Sequence, residues 1–207
     1  LQGMRQAAVL FGLTLAFSLP LGLLVALGSM SRCRPVRAVF DALVWVIRGT
    51  PLVLQLIIIF YGPGLWLGRN IWGSHRMLAC IVAFVLNYAA YFAEIFRAGI
   101  QSIDRGQYEG ARVLGMTYPQ TMRRIVLPQV LKRILPPMSN ETITLVKDTS
   151  LIYVLAMNDL LRAARGIVQR DFTTTPFMVA AAFYLLMTLV LTLGFQRLEK
   201  KYAVYDE

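Results

Sequence analysis

The sequence predicts an all-α protein whose helices cross a membrane several times. Hydrophobic residues make up 57% of the 207 residues and charged residues only 15%, whereas a soluble domain carries about 25% charged residues. Four stretches contain no charged residue: 6–31, 49–68, 77–93 and 172–196. A bilayer core of about 30 Å takes roughly 20 residues of helix to cross, and lipid offers the backbone no hydrogen bonds. These stretches are therefore predicted to be spanning helices.

Five spans are predicted within a single transmembrane domain that comprises residues 1–207. The first run has 26 uncharged residues, more than the about 7–15 apolar residues of a signal-peptide core, so we expect a retained span. Because the chain begins at Leu1, a few native residues are expected to precede it. The fourth span contains Glu141, Lys147 and Asp148, and its apolar residues supply one side. The spans are placed at approximately 7–30, 40–61, 76–99, 134–157 and 174–197, with a polar segment at 100–133.

The basic residues predict the orientation. Twelve Lys and Arg fall in the loops on one side, including segment 100–133 and the C-terminal end, and six fall on the other side. Cytoplasmic loops carry the excess of Lys and Arg, so the C-terminus and segment 100–133 are predicted to be cytoplasmic. An odd number of spans then places the N-terminus outside.

Several function classes are disfavoured by composition. The net charge is +10, but the cations lie between apolar runs and not on one polar face, which argues against a nucleic-acid partner. Cys33 and Cys80 have neither disulfide context nor metal-ligand spacing, and His75 is the only histidine. No nucleophile–base or metal constellation supports a membrane-embedded enzyme.

Segment 100–133 is predicted to be a helical hairpin. Ser102 or Asp104 can cap a first helix, and Gly115 suits the left-handed residue that ends it. Thr117 and Gln120 have capping-box spacing for a second helix, which should kink or stop at Pro128. From physics alone, the hairpin is either a pair of amphipathic helices on the lipid headgroups or a docking element for a soluble partner.

A polar stripe is predicted on the fourth span. Glu141 and Asp148 are seven residues apart and share one helix face with Thr144, and Lys147 lies on a neighbouring strip. Intramembrane carboxylates are expensive and are functional candidates by default. The stripe either joins neighbouring helices, with Asp148 paired to a cation, or forms one wall of a water-filled site that holds a cationic group.

Three other polar residues lie in or at the ends of the spans. Glu94 and Arg97 have the spacing of a structural ion pair. Arg48 is expected to snorkel to headgroups or to meet the cytoplasmic loop. Asn87 could line a path or bond a neighbouring helix.

The hairpin carries a resemblance to a known family. Glu109-Gly110-Ala111, then Gly115, then Ile125-Val126-Leu127-Pro128 resemble the EAA loop of binding-protein-dependent ABC transport permeases, with Gly110 in place of the usual Ala. Arg48-Gly-Thr-Pro51 with Gln55, the stretch around Asn87 and 93–102, and Asn140-Glu141 with 147–151 are similar to the polar amino-acid branch of that family. These matches occur in the family's order and cover 48 to about 165.

The resemblance implies a permease fold of the type I ABC importers in a bacterial inner membrane. It implies import of a polar amino acid into the cytoplasm by alternating access, and the two carboxylates of the fourth span suit a cationic one. It implies a second permease subunit, which is the same chain or a paralogue, separate ATPase subunits and an extracytoplasmic solute-binding protein. The resemblance assigns docking on the ATPase to Glu109, Gly110, Ala111 and Gly115. It assigns substrate contact to Glu141 and Asp148, and we expect Thr144 and Asn87 beside them.

Nucleotide chemistry is expected on a partner. The sequence contains no G-x-x-x-x-G-K-[ST] motif, so no cofactor is expected in this chain, and ATP and Mg²⁺ would bind the ATPase. The alternative that stays open is an ATP-independent secondary transporter or channel for a small polar solute, which would not need the hairpin.

Overall fold

The structure, a computed structural model, describes residues 2–69 and 71–203, and these form nine α-helices without a strand. A π-helical turn, Met122–Val126, joins α6 to α7, and a 3₁₀ segment, Thr149–Leu155, follows α7. The helices are α1 (Gln2–Ser29), α2 (Arg34–Gly49), α3 (Leu52–Leu67), α4 (Arg76–Gln101), α5 (Arg105–Val113), α6 (Tyr118–Thr121), α7 (Leu127–Asp148), α8 (Leu160–Asp171) and α9 (Thr175–Ala203).

Helix α4 lies at the centre of the molecule and packs against α1, α2, α3 and α7. Small residues allow two of these contacts to be close. A Cβ added at Gly22 of α1 would lie 3.0 Å from the Ala89 carbonyl oxygen of α4. A Cβ added at Gly99 of α4 would overlap the Ile134 side chain of α7. Around these approaches, the fully buried Phe84, Tyr88 and Phe92 fill the core.

The predicted second span, 40–61, is wrong as a continuous helix. The chain bends by 105° between α2 and α3, at Thr50 and Pro51. Thr50 is extended, with φ −115° and ψ 142°, because the ring of a following proline disfavours helical backbone. Pro51 also lacks the N–H that a continuous helix would use. We call this bend the elbow.

Three helices in the described residues are long and apolar enough to cross a bilayer, at Gly3–Ser29, Arg76–Gln101 and Thr175–Tyr202. The pair α2 and α3 would add a fourth crossing if it acts as one bent span. The predicted fourth span, 134–157, corresponds to α7 and the 3₁₀ segment. Its charged residues make it less apolar than the three helices named above. The count of five spans therefore stays a prediction.

Of the kink or stop predicted at Pro128, the stop does not occur, and a π turn directly precedes the proline. The chain stays helical from Tyr118 to Leu155, and the second helix of the hairpin continues directly into α7. In the π turn, the Leu127 N–H donates to the Met122 carbonyl, five residues back. The wider turn relieves the clash between a proline ring and the carbonyl four residues before it.

The predicted signals of the hairpin are confirmed. The Asp104 carboxylate accepts from the Gly106 N–H at 2.6 Å and caps α5. Gly115 has φ +71°, and the Met116 N–H closes the helix end on the Ala111 carbonyl at 3.0 Å, as a left-handed C-terminal stop requires. The Thr117 N–H donates to Gln120 Oε1 at 2.8 Å.

The opposite end of the bundle gathers the start of α1, the start of α4 and α8. Gly3 lies against the Asp159 backbone, and Arg76 Nη1 donates to the Leu155 carbonyl at 3.2 Å. Asp159 is buried and caps α8 by accepting from the Leu161 and Arg162 N–H groups. Burial raises the pKa of the Asp159 carboxyl, and the two capping donors oppose that shift.

Candidate functional site

A cavity of about 560 Å³ lies between the elbow, α4 and α7. It contains all four residues that the sequence proposed for substrate contact: Asn87 from α4 and Glu141, Thr144 and Asp148 from α7. The remaining lining residues are Arg48, Gly49, Thr50, Pro51, Leu52, Val53, Tyr88, Tyr91 and Leu151. Residues from three separate stretches of the chain, 48–53, 87–91 and 141–151, therefore share one polar pocket.

The wall formed by α7 is acidic. Glu141 and Asp148 lie on one face of the helix, as their seven-residue spacing predicts, and both reach the cavity. Asp148 Oδ2 accepts a hydrogen bond of 2.8 Å from the Tyr88 hydroxyl of α4. The partner of Asp148 is thus a neutral donor, and Lys147 is exposed outside the lining. The hydrogen bond from Tyr88 orients the Asp148 carboxylate without pairing it to a cation.

The wall formed by the elbow is electropositive. Arg48, in the last turn of α2, places its guanidinium carbon 5.2 Å from the centre of the Tyr91 ring, within cation–π range. The elbow turns the end of α2 toward α4, so Arg48 lies at the cavity while it remains exposed. That Arg48 snorkels to headgroups or meets the cytoplasmic loop stays a prediction. Beside it, Leu52 and Val53 begin α3, which has no side-chain cap. The free N–H groups and dipole of a helix start favour an anion.

Asn87 has both roles that the sequence left open. It is only 5% exposed, it lines the cavity, and its Nδ2 donates to Gln55 Oε1 of α3 at 3.1 Å. The amide therefore joins the cavity wall to the inner side of the elbow.

Sequence reasoning missed Arg48, Tyr88 and Tyr91 as members of the site. A signal for Arg48 was present, because a cation directly before a Thr-Pro break inside an apolar run must find a polar environment. Tyr88 and Tyr91 have the spacing of one helix face with Glu94. Nothing in the sequence, however, says which tyrosine of α4 faces α7.

The predicted ion pair on α4 is confirmed. Arg97 Nε donates to Glu94 Oε2 at 3.1 Å, and Arg97 Nη2 forms a second bond with Glu94 Oε1. Arg97 also donates to Gln101 Oε1 at 3.2 Å. The pair extends the polar face of α4 from Tyr91 toward the hairpin.

The hairpin presents a second candidate surface. Glu109, Gly110 and Gly115 are exposed, whereas Ala111 is buried. Beside them Val113, Leu114 and Tyr118 are 88%, 77% and 70% exposed, and sequence reasoning did not single out these three. An apolar patch edged by a carboxylate is typical of a protein contact.

Comparisons with known proteins agree with this architecture. The sequence model of the family described as "Binding-protein-dependent transport system inner membrane component" matches residues 18–204. The arginine transport system permease protein ArtQ of Bacillus subtilis (strain 168) is 36% identical over 208 residues, covering 100% of this chain and 93% of the relative. The glutamate/aspartate import permease protein GltK of Escherichia coli O157:H7 is 38% identical over 187 residues, covering 88% and 84%.

A solved structure supports the fold at similar identity. A chain from the crystal structure of "an amino acid ABC transporter with histidines" superposes with a TM-score of 0.86 at 37% identity, covering 97% of this chain and 92% of that chain. This chain therefore belongs to the family of binding-protein-dependent transport system inner membrane components, and it is a multi-pass inner-membrane permease with the fold of the type I ABC importers.

Proposed function

We propose that this chain is the permease subunit of an ATP-driven importer that carries a cationic amino acid into the cytoplasm. The observation that carries the proposal is the charge separation across one cavity, with Arg48 and the start of α3 on one wall and Glu141 and Asp148 on the other. A zwitterion with a side-chain cation needs both walls. Relatives of similar identity are named for arginine and for glutamate/aspartate. Their names therefore do not decide the charge of the substrate, and the charges that line the cavity support a cationic one.

The α-carboxylate binds at the elbow wall. Arg48 supplies a planar guanidinium that suits a carboxylate, and the first N–H groups of α3 add donors at the positive end of a half-helix, as in other broken-helix transporters. The Tyr91 ring, whose centre lies 5.2 Å from the guanidinium carbon, helps to hold Arg48 at the cavity.

The cationic groups bind at the α7 wall. Two carboxylates face one guanidinium across the cavity, so the site has one more anion than a neutral amino acid would balance. Asp148, held by Tyr88, and Glu141 then neutralise the ammonium group and the side-chain cation. Thr144 and Asn87 contribute neutral polar atoms between the two walls.

Energy for transport comes from a separate ATPase that binds the hairpin. Glu109, Gly110, Ala111 and Gly115 form the docking element, and the exposed Val113, Leu114 and Tyr118 extend it. ATP and Mg²⁺ bind the ATPase, a solute-binding protein delivers the ligand, and a second permease, identical or related, completes the pathway. The permease pair alternates between outward-open and inward-open states. The continuous helical path from α6 through the π turn into α7 joins the hairpin to the acidic wall.

Uptake by reconstituted vesicles tests this function. The permease, its ATPase and its binding protein are placed in proteoliposomes, and L-arginine uptake is measured with ATP or with a non-hydrolysable analogue. We expect uptake in the vesicles that receive ATP and no uptake in those that receive the analogue. Uptake at equal rates in both would contradict the proposal and favour an ATP-independent transporter or channel.

The docking role is tested by Glu109→Ala. We expect this variant to copurify with less ATPase or to hydrolyse ATP without transport. Asp171→Ala is the control, because it removes an exposed carboxylate at the opposite end of the bundle. Unchanged ATP-dependent uptake by Glu109→Ala would rule out the assigned role.

A further inference from the structure

We infer that Gln55 is the positioning residue that holds the elbow and thereby keeps Arg48 and the start of α3 on the substrate cavity. The inference rests on the proposed function for its ligand and on the elbow geometry for everything else. Gln55 is not among the cavity-lining residues, so its effect on a ligand must pass through the residues that it holds.

The elbow deprives the carbonyls at the end of α2 of their usual helical donors. The last carbonyls of a helix have no intrahelical donor. After α2 the chain continues through an extended Thr50 and through Pro51, which has no N–H to offer. The Thr50 N–H reaches the Ile47 carbonyl only at 3.4 Å, which is long for a hydrogen bond. The end of α2 therefore needs side-chain donors.

The Thr50 hydroxyl, which reaches the Ile47 carbonyl at 3.3 Å, shares this role with Gln55. Gln55 Nε2 lies 2.8 Å from the Ile47 carbonyl, 3.1 Å from the Thr50 carbonyl and 2.8 Å from Thr50 Oγ1. The Thr50 hydroxyl in turn donates to the Val46 carbonyl at 3.0 Å. Because two of the three atoms around Nε2 are carbonyl oxygens, only the amide nitrogen fits on this side.

The other end of the same amide holds α4. Gln55 Oε1 accepts from Asn87 Nδ2 at 3.1 Å, and Asn87 is buried and lines the cavity. One side chain of α3 thus binds the end of α2 and the centre of α4. Arg48 precedes the bonded Thr50 by two residues, so the direction of its side chain depends on this junction.

A conservative substitution distinguishes the role of the Gln55 amide as a donor from its role as an acceptor. Gln55→Glu keeps the shape and the acceptor for Asn87 but replaces the donor with an oxygen that faces two carbonyls. Gln55→Met keeps the length without charge and removes both bonds. Gln169→Glu, on the exposed face of α8, is the matched control for the added charge.

The test combines hydrogen exchange with ligand binding on the assembled transporter without its binding protein. The probes are L-arginine and agmatine, which is arginine without its carboxylate. If Gln55 positions the carboxylate-binding wall, Gln55→Glu and Gln55→Met should weaken L-arginine binding about tenfold and agmatine binding much less. Amide exchange over 46–56 should also become faster, while Gln169→Glu changes neither readout.

Two results would overturn the inference. One is unchanged exchange at the elbow in both Gln55 variants. The other is faster exchange together with equal losses of affinity for L-arginine and agmatine. That result would indicate a structural role without positioning of the carboxylate-binding wall. If the wild-type transporter binds neither probe, the proposed substrate class is wrong, and the exchange at the elbow alone then decides whether Gln55 holds it.

Discussion

At the scale of single residues, the Tyr88–Asp148 hydrogen bond fixes a carboxylate of the cavity through a neutral donor. A cationic partner would neutralise Asp148 and remove it from the site, whereas the Tyr88 hydroxyl orients the carboxylate and leaves its charge. The ring is fixed in turn by Phe84 and Phe92, whose centroids lie 6.3 and 6.2 Å away. The packing of α4 therefore sets the position of a carboxylate on α7.

Tyr88→Phe tests this arrangement. The variant keeps the ring and loses only the hydroxyl, and a hydrogen bond to a charged group is worth about 1.5–3 kcal/mol. We expect about tenfold weaker binding of L-arginine to the assembled transporter, measured by titration. Tyr61→Phe, on an exposed part of α3, is the control. Equal or tighter binding by Tyr88→Phe would show that Asp148 needs no support from α4.

What the sequence could predict at this scale follows from helix periodicity. Glu141, Thr144 and Asp148 belong to one helix, so their spacing alone places them together. Arg48 and Tyr88 come from other helices, and their meeting with α7 depends on the elbow and on helix rotation. Neither is encoded in a local repeat. The sequence therefore predicts the α7 wall of the candidate cavity but not the wall that the elbow and α4 form.

At the scale of elements, the elbow and the π turn both arise from prolines in helical stretches. Pro51 breaks the helix because the preceding Thr50 adopts extended backbone and caps the end of α2. Pro128 does not break it, because the π turn before it widens the backbone. A proline marks a place of strain from sequence alone, but whether the helix breaks or widens depends on the side-chain donors and the packing nearby.

Two glycines of the hairpin should respond in opposite directions to alanine. Nothing lies within 4 Å of a Cβ added at Gly110, inside α5, so Gly110→Ala should stabilise the hairpin by about 0.5–1 kcal/mol. Gly115 has φ +71°, which costs an L-residue roughly 1–2 kcal/mol, so Gly115→Ala should destabilise it.

Hydrogen exchange of segment 105–121 in the purified protein measures both changes. We expect slower exchange in Gly110→Ala and faster exchange in Gly115→Ala, each by roughly fivefold. The same sign in both variants would contradict the assigned helix end. Since Gly110 stands where the family usually has Ala, Gly110→Ala should also keep ATP-dependent uptake.

At the scale of the whole molecule, the two ends of the bundle should face opposite sides of the membrane. The hairpin lies at one end, and Gly3, Arg76 and Asp159 meet at the other. The excess of basic residues around the hairpin predicts that its end is cytoplasmic. The number of spans and the side of each terminus depend on how the elbow helices and α7 sit in lipid.

Cys33 provides a direct measure of orientation. It is exposed between α1 and α2, whereas Cys80 is buried. A membrane-impermeant maleimide should label Cys33 in inverted vesicles but not in right-side-out vesicles, and Gln169→Cys in a Cys33→Ser background should show the reverse. Full labelling in detergent is the control for access. Labelling of Cys33 from outside would reverse the predicted topology.

The most direct test of the two-walled site compares three probes on the assembled transporter: L-arginine, agmatine without the carboxylate, and L-citrulline without the side-chain charge. The wild type should prefer L-arginine over both. Arg48→Gln should lose the preference over agmatine and keep that over citrulline, and the double variant Glu141→Gln/Asp148→Asn, which neutralises the whole α7 wall, should do the opposite. Equal losses for all three probes in both variants would contradict the division of the cavity into a carboxylate wall and a cation wall.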